Sequence, residues 1–173
     1  MTSLSVEEQD VLKQLLLRIA DDDNAFLPET TFRAFHKLVP WPAVEVLIHD
    51  HRGRFVLTYR DDDFTGWHIP GGFMRINETF QEACDRHVRK ENVATAVTDL
   101  RLIASHTWLK GEHPYGHNIS QIIACRAVGK VIESELVRWY DDIPTGVIRE
   151  QHPQFLRYFK TWIKGERGAA AIL

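Results

Sequence analysis

The sequence predicts an α+β fold, and three observations predict it. Two apolar, β-branched runs lie either side of a tight turn, between Ala43 and Arg60. The stretch Trp67-His68-Ile69-Pro70-Gly71-Gly72 reads as an aromatic strand end and a Pro-Gly-Gly turn, and Phe73 to Val93 follows with charged groups at helical spacings. Further strand-like runs come next, and the chain closes on an amphipathic helix, Pro153 to Lys164, carrying Phe155, Leu156, Phe159, Trp162 and Ile163.

Bulk properties narrow the function classes. A chain of 173 residues supports one domain with a full core and a short extension. Its 44% apolar and 26% charged content is that of an ordinary globular protein. A net charge of -3 provides no broad basic field for nucleic acid. Cys84 and Cys125 cannot build a disulfide framework and read as reduced, buried thiols. No apolar run reaches membrane-spanning length and no signal pattern opens the chain, so the expectation is a cytoplasmic protein without a membrane partner.

In order, Ser5 and Glu8 form a capping box for a helix from Val6 to Ala20, with Leu12, Leu15, Leu16 and Ile19 on one stripe. Asp21-Asp22-Asp23-Asn24 reads as its solvated exit, since the spacing is not that of a calcium loop. Pro28 to Leu38 reads as a second short helix, stopped by Pro40 and Pro42. Residues 1–42 are therefore expected as a helical extension, 43–164 as the main domain and 165–173 as a loose tail. The amphipathic extension suggests a homodimer. Ala43 to His49 and Arg54 to Arg60 read as a hairpin around Asp50-His51-Arg52-Gly53. Thr98 to Trp108, Asn118 to Val128 and Leu136 to Tyr140 read as strands, with a Gly/Pro loop between Lys110 and His117.

A glycine turn opening onto a charged helix suits a site for a metal and a phosphate group. Gly72, Glu78, Arg86, Val88 and Glu91 follow the spacing G-x5-E-x7-R with a last glutamate five residues on, and W-x-x-P-G-G is intact upstream. The stretch resembles a Nudix box. The resemblance covers about Ala43 to Lys164 and implies an α/β/α sandwich around a mixed sheet. The box is degenerate: His87 stands where the family has the glutamate after the arginine, Lys90 where it has the first of two paired glutamates, and Val93 where it has a glycine. GDP-mannose mannosyl hydrolases are similar in keeping the arginine and only the last glutamate.

What the resemblance implies is hydrolysis of a nucleoside diphosphate derivative, such as a nucleotide sugar, with Mg2+ or Mn2+. The alternative is a nucleotide-binding module that has lost catalysis. The resemblance puts Glu91 and a backbone carbonyl of Gly71 or Gly72 at the metal, and assigns Glu78 and Arg86 to hold the loop against the helix. His87 is open between metal ligand, base and space-filler, and an imidazole ligand suits manganese or zinc better than magnesium. Lys90 is either a phosphate contact or an exposed lysine. Arg60 either contacts the diphosphate or pairs with Asp61 to Asp63. Glu133 lies in a loop where the family often carries a further acid or base, and is a candidate metal ligand. The Gln-His pair of the mannosyl hydrolases falls at Glu133 and Ser134, so a base histidine is missing there. Glu150-Gln151-His152 resembles that pair by accident, unless a permuted loop brings His152 or His117 to the site. His106, His113 and His117 lack tetrahedral zinc spacing and read as lining a substrate pocket. Trp108 and Tyr115 are candidates to stack on a base, with burial in the core the equal alternative for Trp108.

Overall fold

The computed structural model describes residues 4–21, 27–61, 65–109, 111–113, 116–146, 151–165 and 171–172. The chain divides into two compact units, Met1–Phe35 and His36–Leu173. In the first, α1 spans Val6–Ala20 behind the Ser5/Glu8 capping box, and α2 spans Glu29–His36. None of the α1 residues is buried.

The second unit holds two sheets. The larger runs in the order β4 (Gly71–Phe73), β1 (Trp41–Ile48), β6 (Asn118–Ala127), β5 (Val97–Trp108) and β8 (Ala171–Ile172). It is mixed, because β1 and β6 are parallel while the other pairs are antiparallel. The smaller is antiparallel: β3 (Gly66–His68), β2 (Phe55–Arg60) and β7 (Val137–Tyr140). Strand alternation divides β1 between two cores. Val44, Val46 and Ile48 pack with Ala83, Cys84 and Val88 of α3 (Phe80–Lys90). Leu47, with Ile122 and Ala124, packs with Phe155, Leu156 and Phe159 of α4 (Gln151–Gly165). Helices thus cover both faces of a mixed sheet, and β1 reads as a continuous apolar run because both its faces are buried.

Three expectations change. Ala43 to Arg60 is not a lasting hairpin: after the single His49–Phe55 bridge the strands part into different sheets, because both edges of β1 are taken by β4 and β6. Helix does not follow the glycines directly. Gly71–Phe73 pairs with Glu45, Val44 and Ala43, and α3 begins only at Phe80, where Thr79 and Glu82 form a reciprocal capping box. Asn92, at φ 56°, ends it before Val93. The tail is not wholly loose either, since Ala171 and Ile172 pair with Leu102 and Arg101 along the free edge of β5. Among the described residues, no helix is long and apolar enough to cross a membrane.

Candidate active site

The glycine turn is clamped from three sides. Arg86 makes a two-pronged pair with Glu78, Nε to Oε1 at 2.5 Å and Nη2 to Oε2 at 2.6 Å, and Nη2 also donates to the Phe73 carbonyl at 2.9 Å. Arg75 N–H donates to Glu78 at 2.8 Å. One ion pair therefore fastens the loop before α3 to the helix and to the end of β4. The Arg86 hydrogen bonds hold the Glu78 carboxyl below its ordinary range against the opposing effect of burial.

His87 fills the space beneath the turn. It is 5% exposed, its Nε2 lies 3.3 Å from the Phe73 carbonyl, and its Nδ1 is buried without a hydrogen-bond partner. Burial, reinforced by the Arg86 charge, pushes its pKa down, so the ring is neutral in the folded protein.

Glu91 caps the C-terminus of α3 and reaches back to the smaller sheet. Its Oε2 accepts from the Thr58 hydroxyl and lies 3.2 Å from His68 Nε2, and the Gly71 N–H also donates to the carboxylate. Burial pushes this carboxyl up, but the His68 hydrogen bond and charge, with Thr58 and Gly71, outweigh it and keep the group charged. The His68 ring is itself fixed by the Ile69 carbonyl, 2.8 Å from Nδ1.

A second carboxylate, Glu45, lies on the other side of the turn. Its Oε2 is 3.0 Å from where a Cβ on Gly71 would stand, and the Val44 carbonyl only 2.2 Å from it, so glycine is required there. Oε1 accepts from Ser120 Oγ at 3.0 Å, and that hydroxyl accepts from Trp108 Nε1 at 2.9 Å. His152 Nδ1 accepts from Ile69 N–H at 3.3 Å, which leaves Nε2 directed at Glu45, 3.8 Å away. Of the buried His68, His152, Glu45 and Ser120, the sequence reading named only His152, as a residue that a permuted loop would bring to the site. Only the Gln151-His152 string hinted at one of them, and the others look like ordinary strand residues.

Of the sequence candidates, Gly71, Gly72, Glu78, Arg86, His87 and Glu91 come together. Arg60 ends β2 opposite Gly66, two residues beyond Thr58 and so on the same strand face. Lys90 is exposed beside Glu91. Glu133 is not brought to this group: its carboxylate accepts from Trp139 N–H at 3.2 Å and its charge bears on Arg54, before the opposite end of β2. Tyr115 lies outside the described residues. Among the described residues no three His, Cys, Asp or Glu side chains are placed to hold a metal, so neither Glu133 nor the His106/His113/His117 set completes a cation site.

What the turn offers a divalent cation is the charged Glu91 carboxylate, with Oε2 engaged, and the Glu45 carboxylate on its other side, beside glycine backbone. That donor set fits magnesium, which binds through one or two carboxylates with water and ligand phosphates rather than a closed protein cage. It does not fit zinc.

The NUDIX domain profile matches residues 39–159. The chain belongs to the NUDIX family. No curated protein matches it at a significant level. Among solved structures it is similar to a MutT NUDIX hydrolase from Burkholderia pseudomallei, at 21% identity and TM-score 0.55 over 69% of this chain and 98% of that one. It is also similar to a UDP-X diphosphatase, at 16% identity and TM-score 0.59 over 94% and 83% of the two chains. A third is the NUDIX domain of Shewanella oneidensis NrtR complexed with ADP ribose, at 15% identity and TM-score 0.54 over 78% and 97%. At these identities the likeness is one of fold. The family generally uses divalent cations.

Proposed function

We propose that this NUDIX domain hydrolyses a nucleoside diphosphate derivative, with a nucleotide sugar as the substrate class and one divalent cation as cofactor. The observation that carries this reading is Glu91, a largely buried carboxylate kept charged at the glycine turn by His68, Thr58 and the Gly71 N–H. Each part of the chain has a task. The Glu78–Arg86 pair fixes the turn, Gly71 and Gly72 let it seat closely against β1 and the His87 ring, and the Arg60 guanidinium offers a fork of donors to phosphate. When bound, the cation would neutralise phosphate charge and activate water. Glu91 and glycine carbonyl oxygen would hold it, and Lys90 would add a phosphate contact. Similarity to GDP-mannose mannosyl hydrolases belongs to this reading, through the retained arginine and last glutamate.

A second reading, nucleotide binding without turnover, is favoured by the neutral His87 and by Lys90 at two family carboxylate positions. One experiment separates the two. Mg2+ and Mn2+ are titrated calorimetrically with and without GDP and ADP, for wild type and Glu91→Gln, alongside a turnover screen of nucleotide sugars. Metal binding that requires nucleotide and is lost in Glu91→Gln, with turnover, supports hydrolysis. Nucleotide binding indifferent to both, without turnover, replaces it with the binding module.

A further inference from the structure

On the α4-facing side of the larger sheet, two side chains carry buried polar atoms with nothing to bond. Asn118 opens β6 and is 1% exposed, yet neither its amide nitrogen nor its amide oxygen has a hydrogen-bond partner. His106 of β5 has a buried Nε2 in the same condition. The register puts them on one face: Trp41 and Trp108 flank Asn118, and His106 pairs with Ser120 two residues along. Four aromatic contacts enclose the place, with ring centroids 6.1 Å apart for Trp41–Phe73, 6.2 Å for Phe73–His113, 5.1 Å for Trp108–His113 and 5.0 Å for His106–Trp108. Trp41, Phe73 and His113 are only half-buried, so the cluster has a solvent side.

A buried amide with both halves unmet is costly, and folded proteins keep very few. Hydrophobic neighbours give it no compensation here, so the group is one that a ligand completes. An asparagine amide presents one acceptor and one donor pair in a plane. That matches the edge of a heterocyclic base, which offers a donor beside an acceptor and a flat face for aromatic contact. Phe73 directly follows Gly72, and Asn118 lies in register with Trp41, four residues along β1 from Glu45, which pairs with Gly71. Four strand residues span about 13 Å, a reach suited to the ribose and phosphates of a nucleotide anchored at the turn.

We propose that the Asn118 amide, with Trp41, Phe73, Trp108 and His113 around it, is the recess that takes the nucleobase. It rests on the reading of the ligand as a nucleoside derivative, but not on hydrolysis.

The test uses free adenosine, guanosine, uridine and cytidine, with ribose 5-phosphate as the base-free control, on wild type, Asn118→Leu and Asn118→Asp. Binding is followed by tryptophan fluorescence and folding by thermal unfolding. At least one nucleoside is expected to bind wild type, and Asn118→Leu to weaken it at least tenfold while ribose 5-phosphate is unchanged. The melting temperature of Asn118→Leu is expected to stay level or rise, because an unmet amide leaves the interior; a merely structural amide would give a fall. Should the leucine variant not fold, Asn118→Asp, which replaces the donor by an acceptor, must change which base is preferred. No nucleoside binding to wild type, or equal nucleoside binding by folded variants, overturns the proposal. Nucleoside binding lost in Asn118→Leu, in a protein that turns over no diphosphate, leaves the recess standing and removes the hydrolase reading.

Discussion

Gly72→Ala tests the central packing claim, that the turn is seated on the His87 ring. Gly72 has φ +149°, a conformation L side chains rarely adopt, and an added Cβ would stand 2.7 Å from His87 Cε1. The backbone strain costs about 1–3 kcal/mol. The ring is 5% exposed, so forcing a methyl against it costs about 1–3 kcal/mol more. The middle of the summed range is ~4 kcal/mol, and for a chain of this size each kcal/mol moves the melting temperature by about 2–4 °C, so the variant should melt about 8–16 °C lower. Calorimetry of the variant, of His87→Ala and of the double mutant completes the measurement. Removing the ring should relieve the steric part and leave the backbone part, giving a coupling of about 1–3 kcal/mol between the sites. A drop under about 2 °C, or an equal drop with and without His87, would refute the packing argument. Gly71→Ala provides a contrast: its Cβ would strike the Val44 carbonyl of β1, so His87→Ala should not rescue it.

Other outcomes follow from the same geometry. Arg86→Met should cost about 2 kcal/mol, between the values for exposed and buried ion pairs, read by urea unfolding, since Glu78 is left with only the Arg75 N–H. The Glu78 carboxyl is depressed in the folded state, so its contribution is complete above about pH 4.3 and is lost as pH falls through the lower folded value; Arg86→Met should flatten that acid limb. His87 is also depressed, by burial, so wild type should lose stability as pH falls below about 6.5, and a His87→Asn series of melting temperatures between about pH 5 and 8 should lose that slope. Burial pushes the Cys84 thiol up to about 12 and raises that of Cys125, so a thiol reagent at pH 8 should label both only as fast as the protein unfolds. Immediate labelling of the native protein would contradict the packing of α3.

The sequence by itself determined the places of α1, α2, β1, β2, β5, β6, β7 and α4, the α1 span and its cap, and the box scaffold. These depend on local chemistry: a Ser-x-x-Glu cap, apolar residues at fixed periods, and a Gly72–Glu78–Arg86 spacing short enough for the loop before α3 to pair with the helix. The tertiary structure decided the rest, because it depended on pairing across distance. Whether Ala43 to Arg60 stays a hairpin depends on β4 and β6 competing for the edges of β1, which no local pattern reports. The orientation of Glu91 depends on His68 and Thr58, 23 and 33 residues away in the chain, and the burial of Asn118 on strands that arrive from both sides. His87 was chemically ambiguous as a letter in the box; burial beneath Gly72 made it neutral, because desolvation acts on a position in space and not on a position in sequence.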